Sequence, residues 1–304
     1  VALDGYPLTK ARLEAVTGEM GRRPELVVFF LQWPADPEAG FFPGGSLDAI
    51  RETGAVPCLT WEPMFLEDGE ERAVPWRRIL GGEYDPYLVS FAEQAGAWER
   101  PFIIRLAHEM NLERYHWGTT REAYGPASPA IYRRLFRHVV RVFDEAGADN
   151  VLWAFCPNAE SVPGDPWNRA SSYYPGDAYV DILGMDGYNW GCTQTREEHG
   201  WDSRWRSFRE IFAPLRCELR RLAPNKPLFV FETATVDRGG DRRAWIRDAR
   251  GTLRAWGVSG VAWFQAEKEQ DWRLRPGEAA LLAPRCPSGA GRPERHEWMQ
   301  ERTQ

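Results

Sequence analysis

The residues able to do chemistry in this chain stand in short groups, each directly behind an apolar, strand-like run. The groups are Gln32-Trp33, Trp61-Glu62-Pro63, His108-Glu109-Met110-Asn111, Pro157-Asn158, Asp186-Gly187-Tyr188-Asn189-Trp190, Glu232-Thr233 and Trp263-Phe264-Gln265. They are acids, amides and rings drawn from distant points of the sequence. Two carboxylates facing each other over a cleft suit the hydrolysis of a glycosidic bond: one protonates the leaving oxygen, and the other attacks the anomeric carbon or activates water. Glu109 and Glu232 are the expected pair. The two-residue period of a strand places Arg105, Ala107 and Glu109 on one face, and Leu228, Val230 and Glu232 on one face of another strand. With those faces inward, both acids aim at one axis. Glu109 must hold a proton, so burial or the charge of Glu232 should raise its pKa. Glu232 must be ionised, which calls for donors such as Tyr188, and Arg105 is expected beneath as a supporting cation. Glu62 is the rival acid, but Pro63 follows it and no His or Asn accompanies it.

Other chemistries fit less well. His108-Glu109 lacks the second His of a zinc helix, because the position four beyond His108 is Leu112. No Gly-x-Ser-x-Gly marks a serine esterase. Arg238-Gly239-Gly240 could hold a phosphate, as some barrels do there, although a plain turn before a helix is the stronger reading. A phosphate-sugar enzyme and a catalytically silent, polysaccharide-binding barrel therefore stay as alternatives.

Positioning these groups requires strands with helices between them. Strands are expected at Val1–Asp4, Leu26–Trp33, Ala55–Trp61, Pro101–Ala107, Val151–Phe155, Val180–Asp186, Leu228–Phe231 and Val261–Phe264. Helices are expected at Leu8–Gly21, Ser46–Gly54 with Ser46 as cap, Asp85–Trp98 with Asp85 as cap, Ser128–Gly147, Ser203–Leu222, Asp241–Trp256 and Gly277–Leu282. The stretch Asn158–Pro175 reads as loop. Eight strands apolar on both faces suit a parallel sheet covered by helices. The fold class is thus α/β, a single-domain (β/α)8 barrel over residues 1–284 with a polar tail at 285–304. An open doubly wound sheet is the runner-up, weakened by the lack of Gly-x-Gly-x-x-Gly after the first strand.

Composition sets outer limits. The chain has 304 residues, a net charge of −6 and no basic stripe, so nucleic acid is not an expected partner. No apolar run approaches the roughly 20 residues of a membrane span. Val1-Ala2-Leu3-Asp4-Gly5 does not read as a signal peptide but as the start of a domain cut from a longer precursor. Five cysteines without a C-x-x-C indicate neither a zinc site nor a disulfide scaffold. Cys58 and Cys156 are expected to be buried, and one disulfide among Cys192, Cys217 and Cys286 stays open. The excess of tryptophan, 15 against 5 methionines, suits a protein that holds flat ligands such as sugars. Trp61, Trp117, Trp190 and Trp263 are the candidate stacking rings.

The stretch from Pro101 to Asn111 (PFIIRLAHEMN), with Tyr115 and Trp117-Gly118 behind it, resembles the acid/base strand of glycoside hydrolase family 26. Ile79–Asp85, Asn150–Asn158, Tyr174–Asn189, Lys226–Glu232 and Trp263–Arg273 follow the same family in order, so the likeness covers about residues 26 to 275. It implies a retaining double displacement on a (β/α)8 barrel, best known for β-1,4-mannan and also for β-1,3-1,4-glucan and β-1,3-xylan. By that resemblance Glu109 is the acid/base and Glu232 the nucleophile. His108 helps hold the substrate or the carboxylates, Tyr188 hydrogen-bonds the nucleophile, and Trp263 floors the subsite of the attacked sugar; Asn111 is a further expected substrate contact. Leu112-Glu113-Arg114 and Thr233-Ala234-Thr235 depart from the pattern along the cleft and bear on the substrate. The expectation is a monomeric, secreted or cell-surface polysaccharide hydrolase, endo-acting on β-mannan, needing no cofactor or metal. A β-glucan, a β-xylan or a bacterial exopolysaccharide is the substrate alternative.

Overall fold

The computed structural model describes residues 1–118 and 124–282. Its strands are β1 (Ala2–Leu3), β2 (Leu26–Gln32), β3 (Val56–Glu62), β4 (Met64–Glu67), β5 (Glu70–Ala73), β6 (Phe102–Leu106), β7 (Val151–Phe155), β8 (Ile182–Asn189), β9 (Leu228–Thr235) and β10 (Gly260–Trp263). β4 and β5 form an antiparallel hairpin, which the sequence did not announce. The other eight form one parallel sheet in the order β1-β2-β3-β6-β7-β8-β9-β10. A parallel bridge from Ala2 to Phe264 joins its two ends. This is the expected (β/α)8 barrel, nearly closed.

The helices form where caps and apolar stripes coincide. Thr9 caps Lys10–Met20, and Asp241 caps Arg242–Ala255. Ser207 and Glu210 make a reciprocal capping box at the start of Phe208–Leu222, a helix that Pro214 does not end. In Ser128–Glu145 the buried residues Tyr132, Leu135, Phe136, Val139, Val140 and Phe143 repeat at three- and four-residue spacing and face the sheet. Among the described residues no helix is long and apolar enough to cross a membrane.

Two expected caps play other parts. Ser46 lies inside the helix Gly44–Glu52, where its hydroxyl accepts from Leu8 N at 3.0 Å. Asp85 is the first residue of Asp85–Trp98 rather than its cap, and its carboxylate meets His138 Nε2 at 2.7 Å. Cys58 and Cys156 are buried, whereas Cys192 and Cys217 are exposed free thiols not joined to each other. Cys286 and the tail expected at 285–304 lie outside the described residues.

One irregularity bears on the site. Along the β8–β9 ladder Met185 pairs with Val230, but the next residue, Asp186, pairs with Glu232. Phe231 is therefore the extra residue of a bulge, a device that re-aims side chains. Strict alternation would group Glu232 with Leu228 and Val230. Instead Phe231 lies 5.8 Å from the interior guanidinium of Arg105, and its neighbour Glu232 hydrogen-bonds the same group. On β8, Gly184 pairs with Phe229 and lies close against the Phe231 ring. A Cβ there would lie 2.7 Å from Cys156 Cβ, Cys156 Sγ and the Phe231 ring. Both neighbours, Cys156 and Phe231, are fully buried on or beside barrel strands. Gly184→Ala should therefore lower stability by about 1–3 kcal/mol, the usual cost of overpacking, as read by urea unfolding; an unchanged midpoint would show slack in the interior.

Candidate active site

Arg105, on β6, is fully buried and organises the mouth of the barrel. Its Nε and Nη2 donate to Thr60 Oγ1 on β3 at 2.9 and 2.7 Å. Nη1 also donates to Asp186 Oδ2 on β8, and Nη2 to Glu232 Oε1 on β9. The second oxygen of Glu232 accepts from Tyr188 Oη at 2.5 Å. Burial, and then the charge of Glu232, hold the Tyr188 phenol well above its ordinary pKa, so it stays a donor. Burial opposes the charge of Arg105, but Asp186 and Glu232 more than offset it and keep the guanidinium charged.

Glu109 reaches the same place by another route. β6 stops at Leu106, and both Ala107 (φ 48°) and Glu109 (φ 49°) adopt the left-handed backbone that non-glycine residues rarely take. Each such residue costs on the order of 1–3 kcal/mol and persists only where its surroundings hold it. Glu109 is held by its own N–H, which donates to Cys156 O at 2.8 Å. Its carboxylate accepts from Asn158 Nδ2 at 2.7 Å. Burial, and then the charge of Glu232, push its pKa up to about 7, against the smaller pull of the Asn158 bond. The expected raised acid is present.

His108 lies beside the pair, its Nε2 at 3.1 Å from Tyr115 Oη and 4.0 Å from Glu232 Oε1. Burial, and then Arg105, hold its pKa well below the usual range, so the ring is neutral. Its Nδ1 is buried without a hydrogen-bond partner. His108, Asp186 and Glu232 place one donor atom each within 4.8 Å of one another. Arg105 already donates to both carboxylates, so a metal ion there would have to displace the guanidinium.

The structure gives four of the expected substrate contacts partners within the protein. Trp61 is fully buried among Trp33, Tyr87, Phe91 and Phe143, and its indole N–H donates to Tyr87 Oη. It is core, not a sugar platform. Asn111 is 1% exposed. Its Nδ2 donates to Asn158 O, Glu160 O and Ser161 Oγ, and its Oδ1 accepts from Asn158 N. It bolts down the loop that carries Asn158, so it positions rather than binds. Trp117 is buried; it stacks on Tyr115 at 4.6 Å and donates to His108 O, backing the catalytic segment. Trp263 turns away from the barrel axis, to Trp245 and Arg242 on the helix Arg242–Ala255. Its neighbour Phe264 faces inward instead, 5.9 Å from Tyr188 and 6.5 Å from Phe30.

Several residues received no role from the sequence. Asp186 is one, although the strand period places it on the face of Tyr188. Asn158, Thr60 and Tyr115 are others. An aromatic run leads outward from the nucleophile candidate: Tyr188 to Trp272 (5.1 Å), Trp272 to Trp190 (4.9 Å) and Trp190 to the exposed Trp201 (5.8 Å). Tyr188, Trp190 and Trp201 line, with Asn158 and Arg206, an open cavity of about 500 Å³. The electrostatics make a direct prediction. In Glu232→Gln the Glu109 pKa should fall from about 7, because one carboxylate charge is gone. It should remain above the ordinary glutamate value, because burial, the larger cause, is unchanged. Carboxyl-labelled NMR titration reads this; an unmoved Glu109 would mean the two acids do not sense each other.

Comparison with known proteins agrees with this geometry. The model of the glycosyl hydrolase family 26 matches residues 88–212. Endoglucanase H of Acetivibrio thermocellus is 33% identical over 285 residues, which is 89% of this chain and 28% of that protein. A mannan endo-1,4-β-mannosidase of Bacillus subtilis is 34% identical over 90 residues, 28% of this chain and 23% of that protein. The chain thus spans about a quarter of the length of these curated relatives. Among solved structures, the mannanase BCman of Bacillus subtilis superposes with a TM-score of 0.65 at 18% identity, covering 92% of this chain and 82% of that one. A modular endo-β-1,4-mannanase from Cellulomonas fimi gives 0.63 at 19% identity, covering 92% and 68%. The barrel and the order of its strand-end groups agree with the family match: residues 88–212 of this chain carry the pattern of glycoside hydrolase family 26.

Proposed function

We propose that this chain is the catalytic part of a retaining, endo-acting β-glycosidase that cleaves a neutral polysaccharide. The observation that carries this reading is the unequal treatment of two acids in one buried cluster. Glu109 meets a neutral amide and holds its proton up to about pH 7. Glu232 meets a cation and a phenol, which aim both of its oxygens. In the first step Glu232 attacks the anomeric carbon while the bond to the leaving oxygen breaks and Glu109 delivers its proton to that oxygen. In the second, Glu109 takes a proton from water, the water oxygen bonds to the anomeric carbon, and Glu232 leaves. Arg105 and Tyr188 hold the nucleophile through both steps. The chain's own residues supply the acid, the base and the nucleophile.

For the substrate, the likeness to Endoglucanase H runs along 89% of the chain. The mannosidase likenesses span under a third of it. That balance favours a β-glucan, with β-mannan as the second reading. A polymer of either kind is met outside the cell, which agrees with action as a secreted or surface-bound enzyme.

On a panel of β-glucans and β-mannans, the chain should release oligosaccharides whose new reducing ends first appear in the β configuration, as read by proton NMR. Early α product would refute the retaining mechanism. Glu109→Ala should lower kcat/KM by about 10²–10⁴-fold, the usual worth of a general acid, and Glu232→Ala should abolish turnover. The alkaline limb has a definite sign. Glu109 donates only while protonated, so kcat/KM falls as pH rises through about 7. Asn158→Ala removes a bond that favours the ionised form, so it should move that limb to higher pH.

A further inference from the structure

Among the described residues, six large apolar side chains are well exposed: Tyr6, Phe41, Leu66, Val89, Val162 and Trp201. Such residues scattered singly need no explanation, but a cluster does. Tyr6, Phe41 and Leu66 line one groove of about 500 Å³, with Gln32, Phe65 and Tyr87. They follow the C-terminal ends of β1, β2 and β3, so the groove opens on the face that carries Glu109 and Glu232. In the barrel order, β6 and β9 separate this sector from β7 and β8, behind which the Trp190–Trp201 cavity lies. The two grooves therefore flank the line joining the two acids.

The groove is built, not incidental. Tyr84 Oη hydrogen-bonds Pro34 O and Ala35 O at 3.0 and 3.1 Å, and Asp36 caps the turn Pro37–Ala39. Gly40 lies so close against the Tyr87 ring that a Cβ would fall 2.0 Å from it. These contacts fix the loop that presents Phe41, which is 48% exposed, with Tyr6 against it at 5.6 Å. The lining holds one charged side chain, Asp36, and no lysine or arginine, which suits an uncharged ligand. Gln32 links the groove to the reacting groups: its Nε2 donates to Glu62 Oε2 at 2.6 Å. Glu62, buried at the end of β3, senses Arg105 and Glu232.

We propose that this groove is a distal subsite that binds sugar rings of the neutral polysaccharide away from the cleaved bond, with Phe41 as its stacking ring and Leu66 as an apolar contact. It rests on the glycosidase reading and adds a substrate-length requirement to it. The test compares Phe41→Ala and Leu66→Ser with the parent chain, both changes being at exposed positions that the fold tolerates. Turnover is measured on β-1,4-gluco- and β-1,4-manno-oligosaccharides, as trisaccharide and hexasaccharide. Binding of the same sugars is measured by calorimetry in a Glu109→Gln background, where complexes persist. Both variants should weaken kcat/KM and binding for the hexasaccharide by about tenfold, the worth of one good aromatic contact. They should leave the trisaccharide within about twofold, since it does not reach the groove. Equal losses at both lengths, or no loss for the hexasaccharide, would overturn the subsite. So would a dimer in sedimentation that Phe41→Ala dissolves, because the groove would then join two copies of the chain. If nothing is hydrolysed yet hexasaccharide binding drops in the variants, the groove stands and the catalytic reading fails; absence of any binding rejects the groove.

Discussion

One buried guanidinium sets the geometry of this barrel mouth. Arg105 stands on β6 and bonds to Thr60 on β3, Asp186 on β8 and Glu232 on β9. A single planar fork thus measures the distance across the barrel in three directions. Burying such a charge with its partners is not a cheap source of stability, since desolvation offsets much of the Coulombic gain. What the fork supplies is position: coplanar N–H groups in fixed directions that a lysine could not reproduce. The interior accommodates it with small neighbours. Cys156 Sγ lies 3.9 Å from Arg105 Nη1, and Phe30 and Phe231 offer ring faces at 5.6 and 5.8 Å.

The same cation explains why two glutamates of one chemical type behave differently. One positive charge faces four buried acids, Glu62, Glu109, Asp186 and Glu232. Burial therefore raises the pKa of Glu62, Glu109 and Asp186. What each acid meets follows from its place in the fold. Glu232 stands on a bulge that carries it to the guanidinium. Glu109 stands past the end of β6, on a left-handed turn, where a neutral amide meets it. That amide is held in turn by Asn111, whose side chain ties together the loops after β6 and β7. The division of labour between the acids is thus a consequence of loop architecture around a common charge.

The large features were legible in the sequence because they rest on repeated signals. Apolar runs separated by amphipathic stretches marked all eight barrel strands, and the acids behind the fourth and seventh runs marked Glu109 and Glu232. What escaped was set by single-residue shifts that only tertiary packing decides. The bulge at Phe231 overrides the alternation expected for β9. The left-handed residues Ala107 and Glu109 end the alternation of β6. At the end of β10 the ring beside Tyr188 is Phe264 rather than Trp263, one position away. Trp61 looked like a platform because it ends a strand, yet the neighbouring rings and Tyr87 Oη satisfy both its face and its N–H. Asp186 was within reach, since it shares the strand face of Tyr188. The hairpin β4–β5 carried too short and too polar a pattern to announce itself.

The central claim is that Glu232, oriented by Arg105 and Tyr188, forms a covalent bond with the sugar while Glu109 handles the proton. It is tested most directly by trapping that bond. The chain is incubated with a 2-deoxy-2-fluoro-β-glycoside bearing a good leaving group, and the digested protein is mapped by mass spectrometry. The account predicts one glycosyl adduct, on the peptide that contains Glu232 and at that residue. An adduct on Glu62 or Glu109, or steady turnover with no adduct and inverted product, would contradict it.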